Sequence, residues 1–304
     1  MSDQATILRG LMERRQFASA DSVADARAAG SVAVGHAACT IAVTSGKGGV
    51  GKSNIALNLG LALAEQDRRV CLLDANLGLG NIDLLCGLNG YWNLSHVVSG
   101  ARRLADVVLE GPAGLHVVPG ASGLADLADC SPRAQEEIFR QLEELERTHD
   151  VVILDTGAGI HRAIRRVLAA ADVVLVVTVP EPTAIADAYA TVKSLSGADE
   201  SLRVQILVNQ AESSQQARTI IERFKQTART FLRRDVESAG FIPHDQHVAD
   251  AVRAREPLLR RHPDSPAAAA IRQLAGRLRS IAGNVSDRPP FFARLAERAS
   301  RKAG

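Results

Sequence analysis

The stretch Cys39-Thr40-Ile41-Ala42-Val43-Thr44-Ser45-Gly46-Lys47-Gly48-Gly49-Val50-Gly51-Lys52-Ser53-Asn54 decides the fold. An apolar run of this kind reads as a buried strand, and the Gly-x4-Gly-Lys-Ser that follows reads as a loop feeding a helix N-terminus. Glycines let main-chain N–H groups come close to phosphate oxygens, and the first helical turn supplies further unpaired N–H groups. In such a loop Lys52 bridges the β- and γ-phosphate oxygens and the Ser53 hydroxyl ligates Mg²⁺. The expected contacts to a nucleoside triphosphate are Gly46, Lys47, Gly48, Gly49, Val50, Gly51, Lys52, Ser53 and Asn54.

The same residues also spell Gly46-x-Gly48-x-x-Gly51, the dinucleotide fingerprint, and Asp74 lies where a ribose-binding carboxylate would stand. A nicotinamide site has no use for Lys52-Ser53 directly after the last glycine. A triphosphate site needs both, and the triphosphate reading is preferred.

Downstream, Arg69-Val70-Cys71-Leu72-Leu73 reads as a buried strand that ends in Asp74-Ala75-Asn76, and Val151-Val152-Ile153-Leu154 reads as another that ends in Asp155-Thr156-Gly157-Ala158-Gly159. A carboxylate at the C-terminal end of a parallel strand faces the ligand crevice. The glycines after Asp155 suit a loop that closes on a γ-phosphate. Further buried strands are expected at 172–179 and 204–208, and Pro182-Thr183 reads as a helix start. Phe241-Ile242-Pro243-His244-Asp245 is expected to follow a helix terminated by Gly240. The fold class is α/β, a doubly wound, mainly parallel sheet with helices on both faces.

Lys47 makes the motif specific. Lys-Gly-Gly-Val-Gly-Lys-Ser resembles the deviant Walker A motif of the MinD/ParA family, P-loop triphosphatases of the SIMIBI type. The resemblance implies that Lys47 reaches across a homodimer interface to the partner's nucleotide. It implies that Asp155 is the Walker B aspartate holding Mg²⁺ through water, and that the segments at Asn209 and at Pro243 and Asp245 flank adenine. The Asn209 amide matches adenine's donor and acceptor edge, and no Asn-Lys-x-Asp guanine signature appears, so ATP is expected over GTP. One departure stands out: the family usually has Asp-x-Asp after the second strand, and its second aspartate orients the attacking water, but here that position is Asn76. An amide can hold a water but cannot take its proton, so turnover is expected to be slow, with Lys47, Lys52, Asp74 and Asn76 as the catalytic set.

Three further segments resemble the MinD-like regulators of flagellar number and placement within that family. Asp3-Gln4-Ala5-Thr6-Ile7-Leu8-Arg9 is similar to their N-terminal peptide, which implies activation of a signal-recognition-type flagellar GTPase through Asp3, Gln4, Ala5, Leu8 and Arg9. The phrases Leu77-Gly78-Leu79-Gly80-Asn81-Ile82-Asp83 and Pro180-Glu181-Pro182-Thr183-Ala184-Ile185 match the same group. The implied function is an ATP-dependent dimerising switch that sets flagellar number or position, with flagellar switch or transcription-regulator proteins as further partners. The alternatives are a nucleotide-gated binding module with little hydrolysis, kept open by Asn76, and a division-site or DNA-partition ATPase.

The 304 residues with 46% hydrophobic content suffice for one doubly wound core. The expected layout is a partner-activating peptide at 1–15, a flexible linker at 16–38, the ATPase domain at 39–283 and a basic amphipathic tail at 284–304. From residue 251 onward 12 Lys and Arg stand against 4 Asp and Glu, a local +8 in a chain of net +2. In the tail, Phe291, Phe292 and Leu295 form an apolar stripe beside Arg294 and Arg298, similar to the membrane-targeting helix of the MinD group. The expectation is attachment to inner-membrane lipids in the ATP-bound state, with a tail that packs back on its own domain as the alternative.

A basic helix through Arg218, Arg223 and Lys225 has an apolar far face at Ile220, Ile221 and Phe224, so it reads as a solvated helix surface and DNA is not an expected partner. Cys39, Cys71, Cys86 and Cys130 are spread singly, without the Cys-x-x-Cys pair of iron–sulfur carriers, and suit a reducing compartment. The charged first fifteen residues lack the apolar core of a secretion signal, so the expected location is the cytoplasm, peripheral on the inner face of the cell membrane when ATP is bound.

Overall fold

The computed structural model describes residues 38–76, 80–120, 131–195, 202–282 and 289–300. The N-terminal peptide with Asp3, Gln4, Ala5, Leu8 and Arg9 and nearly all of the linker lie outside the described residues, as does Cys130. The strands are β1 (Cys39–Ser45), β2 (Val70–Ala75), β3 (Leu109–Glu110), β4 (His116–Val118), β5 (Val151–Ala158), β6 (Val173–Thr178), β7 (Arg203–Ala211) and β8 (Glu237–Pro243). They form one sheet in the order β3-β4-β2-β5-β1-β6-β7-β8, parallel throughout except for the β3–β4 pair. Parallel strands need helical crossovers, which cover both faces and force the near-continuous apolar runs seen in β5 and β6.

The helices are α1 (Lys52–Ala64), α2 (Ile82–Leu85), α3 (Leu94–Val98), α4 (Pro132–Arg147), α5 (Arg162–Ala170), α6 (Pro182–Ser194), α7 (Ser214–Thr227), α8 (Gln246–Ala254), α9 (Leu258–Arg261), α10 (Pro266–Ala282) and α11 (Phe291–Ser300). Alternate strand residues serve opposite faces: Ile41, Val43 and Leu72 pack with α1 and α10, whereas Ala42, Cys71 and Leu73 join the layer that includes residues of α4 to α7 and α11. Burial pushes the thiols of Cys39, Cys71 and Cys86 up to about 12, so they act as small apolar groups. No described helix is long and apolar enough to cross a membrane.

Two expectations need correction. Gly240 does not end a helix. It sits inside β8 at φ 96, where the pairing with β7 skips from Ser238 to Gly240, and Arg277 Nη1 donates to the Ala239 carbonyl at 2.9 Å. The preceding helix instead runs from α7 into a π-turn at Ala228–Leu232 and stops at Arg233 in a left-handed conformation. A bulge with an arginine over its carbonyl blunts an edge strand that would otherwise offer itself to another chain.

The second correction concerns the tail. Phe291 and Phe292 are fully buried, Leu295 is 7% exposed, and the two phenyl rings meet edge to face with centroids 4.8 Å apart. α11 packs on α4 and α5 as part of the outer layer. Buried Glu146, in the last turn of α4, accepts the backbone N–H groups of Phe291 at 2.7 Å and Phe292 at 3.2 Å, so a carboxylate from another helix caps α11. Arg294 pairs with buried Asp172 at 2.8 Å, and Asp172 also accepts the N–H of Thr40 at 2.8 Å. Arg298 is half-buried. The stripe expected to meet lipid is therefore spent on the protein's own core: amphipathic spacing says that one face is buried, not what buries it. The domain that begins near residue 38 thus takes in α11 rather than ending at 283.

At the opposite end of the strands from the glycine loop, His149 Nδ1 donates to the Leu145 carbonyl at 2.7 Å, which leaves its Nε2 as acceptor for His116 Nδ1 at 2.8 Å. Burial is the main cause holding the His149 pKa below its ordinary value, and the facing charges of His116 and Arg69 add to it, against Asp150 and the Leu145 hydrogen bond. A protonated His149 would turn its Nε2–H against His116 Nδ1–H.

Two outcomes follow. Phe292→Ala is expected to lower the unfolding free energy by about 3–5 kcal/mol in urea titration, as for other buried phenylalanines. Because the unfolded chain takes up the His149 proton more readily, stability is expected to fall as pH drops below about 6.5, and His149→Gln should flatten that slope in denaturation midpoints measured across pH.

Candidate nucleotide-binding site

The loop after β1 is shaped by its own backbone. Ser45 Oγ donates to the Lys47 carbonyl at 2.7 Å, and the Gly159 N–H donates to the Ser45 carbonyl at 2.9 Å, tying the loop after β5 to the loop after β1. A Cβ added at Gly46 would overlap the backbone of Asp187 in α6, so only glycine allows that approach. Gly48 and Gly49 face open space. Gly51 is the N-cap of α1 in the left-handed region at φ 90, with no side-chain cap and no acid in the first turn. The first N–H groups of α1 are left for an anion, at the positive end of the helix dipole.

Lys52 and Ser53 open α1. Asp155, 1% exposed near the C-terminal end of β5, lies beside Asp74 of β2 in the sheet register. Burial pushes the Asp155 carboxyl up to about 7, with Asp74 adding to the rise, against the pull of the Ser53 hydroxyl bond and the Lys52 ammonium. Its Oδ1 is buried without a hydrogen-bond partner. A buried, unsatisfied carboxylate oxygen beside a hydroxyl and an ammonium fits a hydrated divalent cation: Ser53 would be the direct ligand and Asp155 the group behind its water. Asp74 has a different task. Burial raises its pKa, and its carboxylate accepts the backbone N–H of Asn76, at 3.1 Å, and those of Ile82 and Asn81. Those bonds tie the end of β2 to the start of α2. Asn76 Oδ1 stands over Gly157, where an added Cβ would be 2.9 Å away, so the C-terminal ends of β2 and β5 come together at this amide.

Asn209, Pro243 and Asp245 do meet, in a cavity of about 220 Å³ that is also lined by Gly51, Asn54 and Asn58. Two of them also have structural tasks. Asn209 Nδ2 donates to the Val50 carbonyl at 2.8 Å, so part of its amide braces the glycine loop. Asp245 is the N-cap of α8: it accepts the His247 N–H at 3.0 Å, His247 Nδ1 at 2.8 Å and the Ala267 N–H at 3.0 Å. Those bonds outweigh burial and hold its carboxyl below the usual range. It builds the cavity wall and has little capacity left for a base. Asn58, absent from the expected set, is 1% exposed; it donates to the Asn54 carbonyl at 2.8 Å and accepts the Leu259 N–H at 3.0 Å, tying α9 to α1 behind the cavity. Its signal in the sequence is a lone amide in the otherwise apolar run of α1, one helical turn after Asn54. Lys47 is directed to Glu181, with Nζ 2.6 Å from Oε2.

Gly46→Ala is expected to weaken ATP binding at least about tenfold in titration calorimetry while the protein stays folded, because the added methyl must displace either the loop or α6.

The comparisons agree with this geometry. A family model for an AAA domain matches residues 38–207. The antiactivator FleN of Pseudomonas aeruginosa is 39% identical over 245 residues, covering 81% of this chain and 88% of FleN. The flagellum site-determining protein YlxH of Helicobacter pylori is 34% identical over 239 residues, covering 78% and 81% of the two chains. Among solved structures, MinD in the MinC:MinD cell division complex of Aquifex aeolicus superimposes with a TM-score of 0.64 at 27% identity, over 80% of this chain and 96% of that one. With the glycine loop, the second lysine and the paired aspartates in place, the chain belongs to the MinD/ParA family of P-loop ATPases, in its FleN-like group.

Proposed function

We propose that this ATPase is a slow, ATP-dependent dimerising switch that regulates flagellar number or placement. The observation that carries the reading is the meeting of Asn76, just past β2, with Gly157 in the last residues of β5, which brings the C-terminal ends of two neighbouring strands together at one amide. A γ-phosphate seated on the first turn of α1 would be bounded by both strand ends, and its presence or loss would be felt by both. Adenine would occupy the cavity beside Asn54, Asn209 and Pro243. Mg²⁺ would be held by Ser53 and, through water, by Asp155. Lys47 would complete the partner subunit's site.

Asn76 would hold the attacking water through its amide oxygen without accepting the proton, which makes hydrolysis slow. The approach of its carbonyl oxygen to Gly157 supports this reading. The flagellar role is supported by the likeness to FleN and YlxH over most of the chain. Within it, the peptide Asp3-Gln4-Ala5-Thr6-Ile7-Leu8-Arg9 would stimulate a signal-recognition-type flagellar GTPase. A second reading also rests on Asn76: a latch that binds ATP and dimerises with almost no hydrolysis.

ATP turnover and dimerisation of the parent, Asn76→Asp and Lys47→Ala, measured in the same samples, separate the readings. The expected result is measurable turnover in the parent, a rise of about tenfold or more in Asn76→Asp from the restored carboxylate, and loss of both turnover and dimers in Lys47→Ala. Turnover confined to Asn76→Asp, with dimers in both it and the parent, makes the natural protein a latch.

A further inference from the structure

Lys47 is the loop residue whose expected task lies outside its own subunit, yet its Nζ is 2.6 Å from Oε2 of Glu181 in the same chain. Glu181 occupies the N-cap of α6, directly before Pro182, and its side chain makes no capping bond there. A carboxylate at that place gains from the positive end of the helix. This one has turned instead toward the ammonium of Lys47. The two ends of the pair are already held together, because α6 also supplies the Asp187 backbone that abuts Gly46. The ion pair therefore requires no loop to be ordered for it.

We infer that Glu181 is a positioning residue that holds Lys47 within its own subunit and thereby sets the concentration at which two ATP-loaded subunits join. The inference rests on the reading of Lys47 as a ligand to the partner's nucleotide. Lys47 cannot lie against Glu181 and extend across an interface at once, so each subunit entering a dimer gives up one pair. The hold is weak enough to be released. The two side chains are 42% and 57% exposed, and an ion pair of that kind shifts an equilibrium by at most about fivefold. Because two pairs open for every dimer formed, the dissociation constant of the dimer is raised by up to about 25-fold. The freed carboxylate has a second seat at the unpaired first-turn N–H groups of α6, which eases the exchange. Salt screens the pair and loosens the hold.

The test follows dimerisation of the full chain by sedimentation velocity across protein concentration, with Mg²⁺ and the β,γ-imido analogue of ATP. The parent, Glu181→Gln and Glu181→Asp are compared at about 50 mM and about 500 mM salt, with melting of the nucleotide-free proteins as the check that each folds. The expected result is a dimer midpoint lowered by about 3- to 25-fold in Glu181→Gln at low salt, with the gap closing at high salt, and Glu181→Asp, one methylene shorter, falling between. Parent and Glu181→Gln dimers of equal midpoint, or weaker dimers in the variant, overturn the inference while leaving the switch reading intact. A parent that forms no nucleotide-dependent dimer at any concentration overturns the role assigned to Lys47, and the hold with it.

Discussion

The structure is organised around a stretch of main chain that must stay bare. A phosphate cradle works only if its N–H groups remain unpaired and no side chain intervenes, and a loop of that kind has little to hold it in shape from within. Its shape comes from outside. Asn209 fastens the Val50 carbonyl from β7, Gly159 fastens Ser45 from the loop after β5, and the backbone of α6 presses on Gly46. Three crossovers of the sheet thus end against one turn. This arrangement places the turn on the central part of the sheet, where β1 has β5 on one side and β6 on the other.

The same packing accounts for how the site's charges are managed. Asp74 and Asp155 lie side by side on adjacent strands and both are buried, an arrangement that raises the carboxyls unless cations intervene. Asp74 is satisfied by backbone N–H groups of Asn76, Asn81 and Ile82. Asp155 takes the Ser53 hydroxyl bond and is left with an oxygen that has no hydrogen-bond partner. One carboxylate is spent on backbone N–H groups and the other keeps an oxygen without a protein partner, although the sequence presents them as equivalent strand-end aspartates.

Much of this was legible before any coordinates. The glycine loop, the long parallel strands and Asp155 follow from spacing and apolar runs, because backbone geometry near phosphate tolerates few alternatives. The misreadings share a cause. A residue's type shows that it needs a partner, and only the fold shows which one. Asn209 and Asp245 line the cavity, and each also holds the fold in a way that its residue type does not disclose: the Asn209 amide donates to Val50 and Asp245 caps α8. The stripe at Phe291, Phe292 and Leu295 carries the same spacing whether it meets lipid or the protein's own helices. Gly240 reads as a helix stop because a left-handed residue serves a bulge as well as a C-cap. The β3–β4 pair left almost no trace, since two- and three-residue strands carry no period.

The capping of α11 by Glu146 bears on how the chain reaches this state. All eight strands precede α11 in sequence, so during synthesis the sheet can be assembled while that helix is still within the ribosome. Until it emerges, Glu146 lacks the Phe291 and Phe292 N–H groups it accepts, and Asp172 keeps its Thr40 bond but lacks the Arg294 guanidinium. The nascent domain therefore withholds its final packing until its last helix arrives, and the nucleotide loop, fastened to that same sheet through Thr40 and β1, matures with it.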